Sequence, residues 1–331
     1  MLTKAIEISS NTQLLIANFI LDMMQVKLEA PAVFEIIRHL NDQFPRSAGG
    51  ILLGMDDDST VEVTETFPLP INALEGEGSN LRSKETLKYQ NSMVEKLHKV
   101  NSDSQIQGWY LSSNLGSIYQ QSILDYMFYR QSENPLAITL VHDVALSKAT
   151  KSLSLRAFQL SEEYQQVRAA RFTSDAVGKA ELSHRNILVE IPIYIHNSHL
   201  VNLLTISNCA PKSTEEGVHL TVPPQKMIET SIDSVCEGID DFVFDQGNYN
   251  YYHRQLTRER QKVALWQQKR KAENVIRAAE NKEPLSLDEW KLIFKMPEEP
   301  SRLENILLSA QLDDFCSQID ELGAMTRATM I

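Results

Sequence analysis

A chain of 331 residues with 42% hydrophobic and 23% charged side chains has an ordinary globular composition and length for about two domains. Its formal net charge of −12, from 32 Lys and Arg against 44 Asp and Glu, argues against a general nucleic-acid binder, whose phosphate contacts need clustered cations, while leaving room for a local basic surface. Three widely spaced cysteines, Cys209, Cys236 and Cys316, form no CxxC pair and read as reduced thiols in a cytosolic protein, not as a disulfide frame or a zinc knuckle.

Residues 1–24 are set apart as an N-terminal extension. Leu14–Val26 is apolar but carries Asp22 and is too short to cross a bilayer. Neither the cationic flank nor the cleavage site of a signal peptide is clear, so a soluble protein without a targeting segment is expected. Gln25–Leu28 then alternates as a short strand. Ala30–Phe44 carries Val33, Ile36, Ile37 and Leu40 at helical spacing, with Pro31 suited to the first turn. Gly49–Gly54 reads as a buried strand, turned at Asp56–Asp58 into a second one over Val61–Phe67. Thr86–Val100 is the next amphipathic helix, Ile106–Tyr110 a strand, and Ser117–Tyr129 a helix. Strands over Leu136–Val141 and Leu153–Phe158 follow. Ile187–Ile195 is strongly strand-like, with Pro192 implying an edge or a bulge. This alternation indicates an α/β or α+β domain over residues 25–220.

Residues 221–331 are helical almost throughout. Ile228, Ile232, Val235, Ile239 and Phe242 repeat at spacings of 4, 3, 4 and 3, and Leu308, Leu312, Phe315, Ile319 and Leu322 repeat in the same way. Both are heptad seams of helices that pack lengthwise on others. Either they close on each other or on the first domain, or they enter a helical bundle shared between subunits. Between them Tyr251–Lys282 is long and polar, with Pro284 ending the pattern. It is also basic: Arg258, Lys262, Lys269, Arg270 and Lys271 are candidates for phosphate-directed contact with RNA or for an acidic partner surface.

The most informative stretch is Gln107–Phe128. The order Gly50-Ile51-Leu52-Leu53-Gly54, then Tyr89-Gln90-x-x-Met93, then Gln107-Gly108-Trp109-Tyr110 resembles the MPN family, whose active members are zinc isopeptidases. In those members the strand runs into His-x-His, seven residues, then Ser-x-x-Asp, and the two imidazoles and the aspartate hold zinc with one position open for water. The resemblance puts Leu111 and Ser113 at the histidines, Gln121 at the serine and Leu124 at the aspartate. It puts Ser47 at the glutamate that serves as general base. Ser122-x-x-Asp125 comes one residue late, a slip that turns a helical side chain by roughly 100°. The resemblance therefore implies an MPN domain with a mixed sheet flanked by helices, with no catalysis, no metal and no cofactor.

Further motifs narrow it. Ser152–Phe158, Glu190-Ile191-Pro192-Ile193, Asn197-Ser198-His199-Leu200-Val201-Asn202, Gln267–Asn281 and Leu303–Leu322 resemble the H-type MPN family of eukaryotic translation initiation factor 3. That family implies a cytoplasmic scaffold supporting assembly of the 43S pre-initiation complex and the recruitment and scanning of mRNA. The implied partners are other subunits of the factor, a second MPN subunit as heterodimer partner, and the small ribosomal subunit through the complex. Any RNA contact would be weak and non-specific, and no membrane is involved. The alternatives are a non-catalytic MPN subunit of the proteasome lid or the signalosome, or an active zinc deubiquitinase with relocated ligands. His196 and His199 read as satisfied structural histidines, and His142-Asp143 as a turn cap.

Overall fold

The computed structural model describes residues 24–57, 60–70, 80–100, 105–113, 118–150, 152–208, 224–279, 286 and 288–329. The apolar N-terminal run up to Met23, Cys209, and the expected end of the polar helix at Lys282 and Pro284 lie outside the described residues.

Strand β1 (Gln25–Glu29) leads into helix α1 (Ala30–Gln43), then β2 (Gly49–Asp57), β3 (Thr60–Pro68), α2 (Lys84–Lys99), β4 (Ile106–Ser113) and α3 (Gln121–Glu133). There follow β5 (Ile138–Asp143), α4 (Val144–Thr150), β6 (Leu155–Leu160), α5 (Glu162–Ala169), α6 (Ser174–Lys179), β7 (Leu188–Ile191), β8 (Ile193–His196) and α7 (His199–Asn208). Among the described residues three further helices follow: α8 (Pro224–Ala279), α9 (Trp290–Ile293) and α10 (Leu303–Thr329). This is the mixed sheet flanked by helices, followed by a helical region, that the resemblance implies.

Local chemistry accounts for several boundaries. Pro31 sits at the start of α1, where its missing N–H costs nothing. Ser83 caps α2 by accepting from Thr86 N at 3.2 Å, and Ser161 caps α5 by accepting from Tyr164 N at 3.2 Å. The helix expected from Ser117 starts at Gln121; residue 117 is not described, and Ile118–Gln120 form a turn.

The eight strands run in the order β7-β6-β5-β4-β2-β3-β1-β8. Side chains of β4 alternate across the sheet, as a pleated strand requires. Trp109 and Leu111 point into one apolar layer, with Ile123, Leu124 and Met127 of α3. Tyr110 points into the other, with Val33, Ile36 and Leu40 of α1. Two glycines permit this close pairing: a Cβ on Gly54 would sit 1.8 Å from Glu62 O, and one on Gly108 would sit 2.0 Å from Ile138 O.

The strand expected over Ile187–Ile195 is two strands divided at Pro192. β7 pairs antiparallel with β6 at one end of the sheet, and β8 pairs parallel with β1 at the other. Pro192 O accepts from Val26 N at 3.0 Å, so the chain crosses between the two margins at this residue and draws them together. Proline fits because it supplies an acceptor there and is not asked for a donor.

The last helix reaches back to the sheet. Leu303, Leu307 and Ala310 of α10 join the apolar layer of Trp109 and Leu111. Arg302 N donates to Phe172 O at 3.1 Å, and the acidic pair Asp313 and Asp314 meets Arg185 at 3.1 Å and Arg156 at 3.7 Å. Farther along, Leu322 packs with Leu146 of α4 and Met227 of α8. Each large apolar side chain buried in this way contributes about 1.5–3 kcal/mol.

Candidate functional site

The end of β4 is tied to the start of β2. Ala48 N donates to Ser112 Oγ at 2.8 Å, and Ser112 N donates to Ala48 O at 2.8 Å. These bonds bring Ser47, the residue before Ala48, beside the tip of β4. Ser47 is exposed. A serine hydroxyl there lacks the basicity to draw a proton from water at neutral pH.

The three ligand positions separate into two environments. Leu111 is 2% exposed and Leu124 0% exposed, and both belong to the same apolar layer, with Ile118 beside them. The fold therefore brings these two together, as the resemblance requires, but as packing. Ser113 is buried opposite Asp143 in the β4–β5 register. Its hydroxyl has no hydrogen-bond partner among the described residues. At these two positions the layer receives only hydrocarbon from Leu111 and Leu124.

Neighbouring polar groups have structural duties. Asp143 Oδ1 accepts from Leu146 N at 2.8 Å and so caps α4, as the turn-cap reading of His142-Asp143 expects. The His142 ring bonds Ser154 O at 2.8 Å through Nδ1, and burial holds its pKa below the ordinary histidine value. The late Asp125 points away from Leu111 and pairs with Arg168 at 2.7 Å. His196 Nδ1 stands 3.8 Å from Glu29 of the adjacent strand, a carboxylate that sequence proximity did not reveal. Among the described residues, no three His, Cys, Asp or Glu side chains converge on a metal-sized site.

The heptad seams meet, with an offset. On α10, Phe315 and Leu322 are buried, while Leu308, Leu312 and Ile319 are half-buried. On α8, Ile228, Val235 and Phe242 are half-buried, but Ile232 is 47% and Ile239 48% exposed. The inward side of α8 instead carries Met227, Ser231 and Gly238. A Cβ on Gly238 would meet Leu312 Cδ2 at 3.0 Å. Small residues let the two helices approach there, and the larger apolar side chains are displaced to one flank.

The basic stretch is partly neutralised within the chain. Arg270 pairs with Glu273 at 3.3 Å and also with Glu289, brought back by the segment after α8, and it stacks over Trp266 at 5.0 Å. Much of its charge, expected to face an acidic partner or RNA, is thus met within the chain. Lys262 pairs with Glu259 at 2.7 Å. Arg258 and Lys262 line a cleft of about 640 Å³ together with Lys295, Met296 and Pro297. Lys269 and Lys271 are exposed.

Some exposed apolar side chains were not expected from the motifs or the seams. Helix α7 exposes Leu200, Leu203, Leu204 and Ile206, and on α1 Phe34 is half-exposed. The signal was the run HLVNLLTIS, apolar around nearly the whole helix circumference, which marks a helix meant for burial.

Two families match the chain. One described as "JAB1/Mov34/MPN/PAD-1 ubiquitin protease" covers residues 22–135, and one described as "C-terminal region of eIF3h" covers residues 148–330. A protein of Yarrowia lipolytica, described as the H subunit of eukaryotic translation initiation factor 3, is 38% identical over 92% of this chain and 96% of its own length. Proteins of the same description from Pyricularia oryzae and Neurospora crassa are 37% and 35% identical, each over 92% of this chain and 94% of their own. The match runs through the leucine-filled site and both seam helices, and the chain belongs to the H-subunit family of eukaryotic translation initiation factor 3.

Proposed function

We propose that this chain is a non-catalytic subunit of the eukaryotic translation initiation factor 3 complex and acts there as a scaffold. The observation that carries the first half is the packing of Leu111 and Leu124, which fills with hydrocarbon the place where zinc ligands stand in active MPN enzymes. The second half is supported by the description its relatives share. The exposed apolar surface supports it as well. Helix α7 offers apolar side chains to a second MPN subunit, and the flank of α8 at Ile232 and Ile239 offers a seam for a neighbouring helix. Clustered exposed apolar side chains on one helix mark interaction sites. Residues 25–220 are then the pairing domain and residues 221–331 the bundle segment. Exposed Arg258, Lys269 and Lys271 suit an acidic partner surface or the phosphates of RNA.

A cytoplasmic place follows from that role. No helix among the described residues is long and apolar enough to cross a membrane.

Affinity purification of the tagged chain from cytosol tests the reading. Co-purification with initiation-factor subunits and the small ribosomal subunit is expected. Recovery with proteasome-lid or signalosome subunits instead would reject it. Zinc analysis and a ubiquitin-chain cleavage assay on the purified chain test the catalytic half, where stoichiometric zinc with cleavage would refute it.

A further inference from the structure

The outer side of α8 carries a charge pattern that stays exposed, although Arg258 within it also rims the cleft shared with Lys295–Glu298. Residues 224–253 hold six acidic side chains against Lys226 alone, whereas residues 254–279 hold eight basic ones against Glu259 and Glu273. The helix dipole favours acids at the start and bases at the end, but its influence fades within the terminal turns. Asp240 and Arg258 both lie more than about four turns from either end, so the dipole does not account for them.

With α10 packed against Ser231 and Gly238, the opposite side of α8 faces outward. At about 100° per residue, Glu229, Asp240, Gly247, Tyr251, Arg258 and Lys269 fall within about 40° of one another on that side. All six are exposed. Their positions mirror each other about Tyr249: Gly247 and Tyr251 stand two residues either side of it, Asp240 and Arg258 nine, Glu229 and Lys269 twenty. A second α8 laid antiparallel and centred there sets Glu229 against Lys269 and Asp240 against Arg258. It also sets Tyr251 over Gly247, where even a Cβ would meet nothing within 4 Å. A two-fold axis makes every one of these contacts twice. Exposed Ile232, Ile239 and Val243 flank this face and supply apolar area.

We propose that two copies of this chain recognise each other through antiparallel α8 helices centred on residue 249, held by the Glu229–Lys269 and Asp240–Arg258 pairs. The acidic surface that suits the basic half of α8 is then the acidic half of its own twin. This pairing uses side chains that the scaffold reading gives to other partners, so it concerns the free chain before it joins other subunits, and its test needs none of them.

Sedimentation equilibrium of the purified full-length chain at about 0.1 mM and low salt should give twice the mass of 37.6 kDa. Raising the salt to about 0.5 M should weaken the dimer tenfold or more, because exposed pairs are screened. The variant E229K/D240K and the variant R258E/K269E should each be monomeric, with unchanged circular dichroism, since like charges then face each other. Mixed one to one, they should form a heterodimer. A wild-type chain that stays monomeric under these conditions overturns the proposal and leaves the face to a helix of another protein. So does a mixture of the two variants that fails to pair.

Discussion

Restoring an ostensible zinc ligand should harm this protein, and the structure says by how much. In Leu124→Asp the lost leucine is fully buried among Leu111, Ile118 and Ile123. Truncating such a side chain costs about 2–5 kcal/mol in lost transfer energy and cavity. The new carboxyl group adds a second penalty, because its surroundings in that layer are hydrocarbon. If burial raises its pKa by about three units, each worth 1.36 kcal/mol, charging it at neutral pH costs about 4 kcal/mol more. The sum, about 6–9 kcal/mol, rivals the whole stability of an ordinary domain. The two parts separate by pH. A carboxylate whose folded pKa is raised destabilises only above its unfolded pKa, so the penalty should shrink toward that of Leu124→Ala as pH falls to about 4. Urea unfolding of the Ala and Asp variants at pH 4 and 7 measures both. The triple variant L111H/S113H/L124D should be less stable still. If that triple variant kept the wild-type midpoint and bound one zinc, the claim that hydrocarbon fills the site would be wrong.

Further outcomes are expected elsewhere in the fold. Phe315→Ala should cost about 3–5 kcal/mol in urea unfolding, because the ring is only 5% exposed. The double change L312D/F315D should free the latter part of α10 and abolish co-purification with partner subunits. Hydrogen exchange should still show a protected sheet, and intact co-purification would count against the bundle role. Burial, more strongly than Arg156 offsets it, raises the Asp314 carboxyl above the ordinary aspartate value. Because the folded pKa is the higher one, this group opposes folding progressively as pH rises through the window between its unfolded and folded values. Asp314→Asn should therefore gain stability at pH 7 relative to pH 4, in a thermal-unfolding series. Gly54→Ala forces a Cβ against Glu62 O and should lower stability by about 1–3 kcal/mol, read as an earlier thermal transition.

What could be seen in the sequence was what depends on local period and on motif. The strand at Ile106–Tyr110, the apolar face of α1 and the substitutions at Ser47, Leu111, Ser113 and Leu124 needed no tertiary knowledge. The division at Pro192 did. A nine-residue apolar run shows the same period whether it lies beside one neighbour or leaves one margin of a sheet for the other. The α8 seam shows a second limit. Apolar spacing picks out the largest hydrophobic side chains, Ile232 and Ile239 among them, whereas close helix packing is set by the smallest, Ser231 and Gly238. Arg270 shows a third: its partner Glu289 comes from a later segment, and no count of charges along one helix would find it.

The junction at Pro192 has a consequence for how anything can bind here. The sheet's two outermost strands are four residues each, and they are successive pieces of one chain. An incoming peptide that tried to extend the sheet would find only about two to four backbone groups to engage at either place before the line ended. Proteins with long open margins invite recruitment, and also fibril growth, by strand addition. This fold closes that route and leaves recognition to side chains on helices, where a single charge reversal can decide which neighbour is accepted.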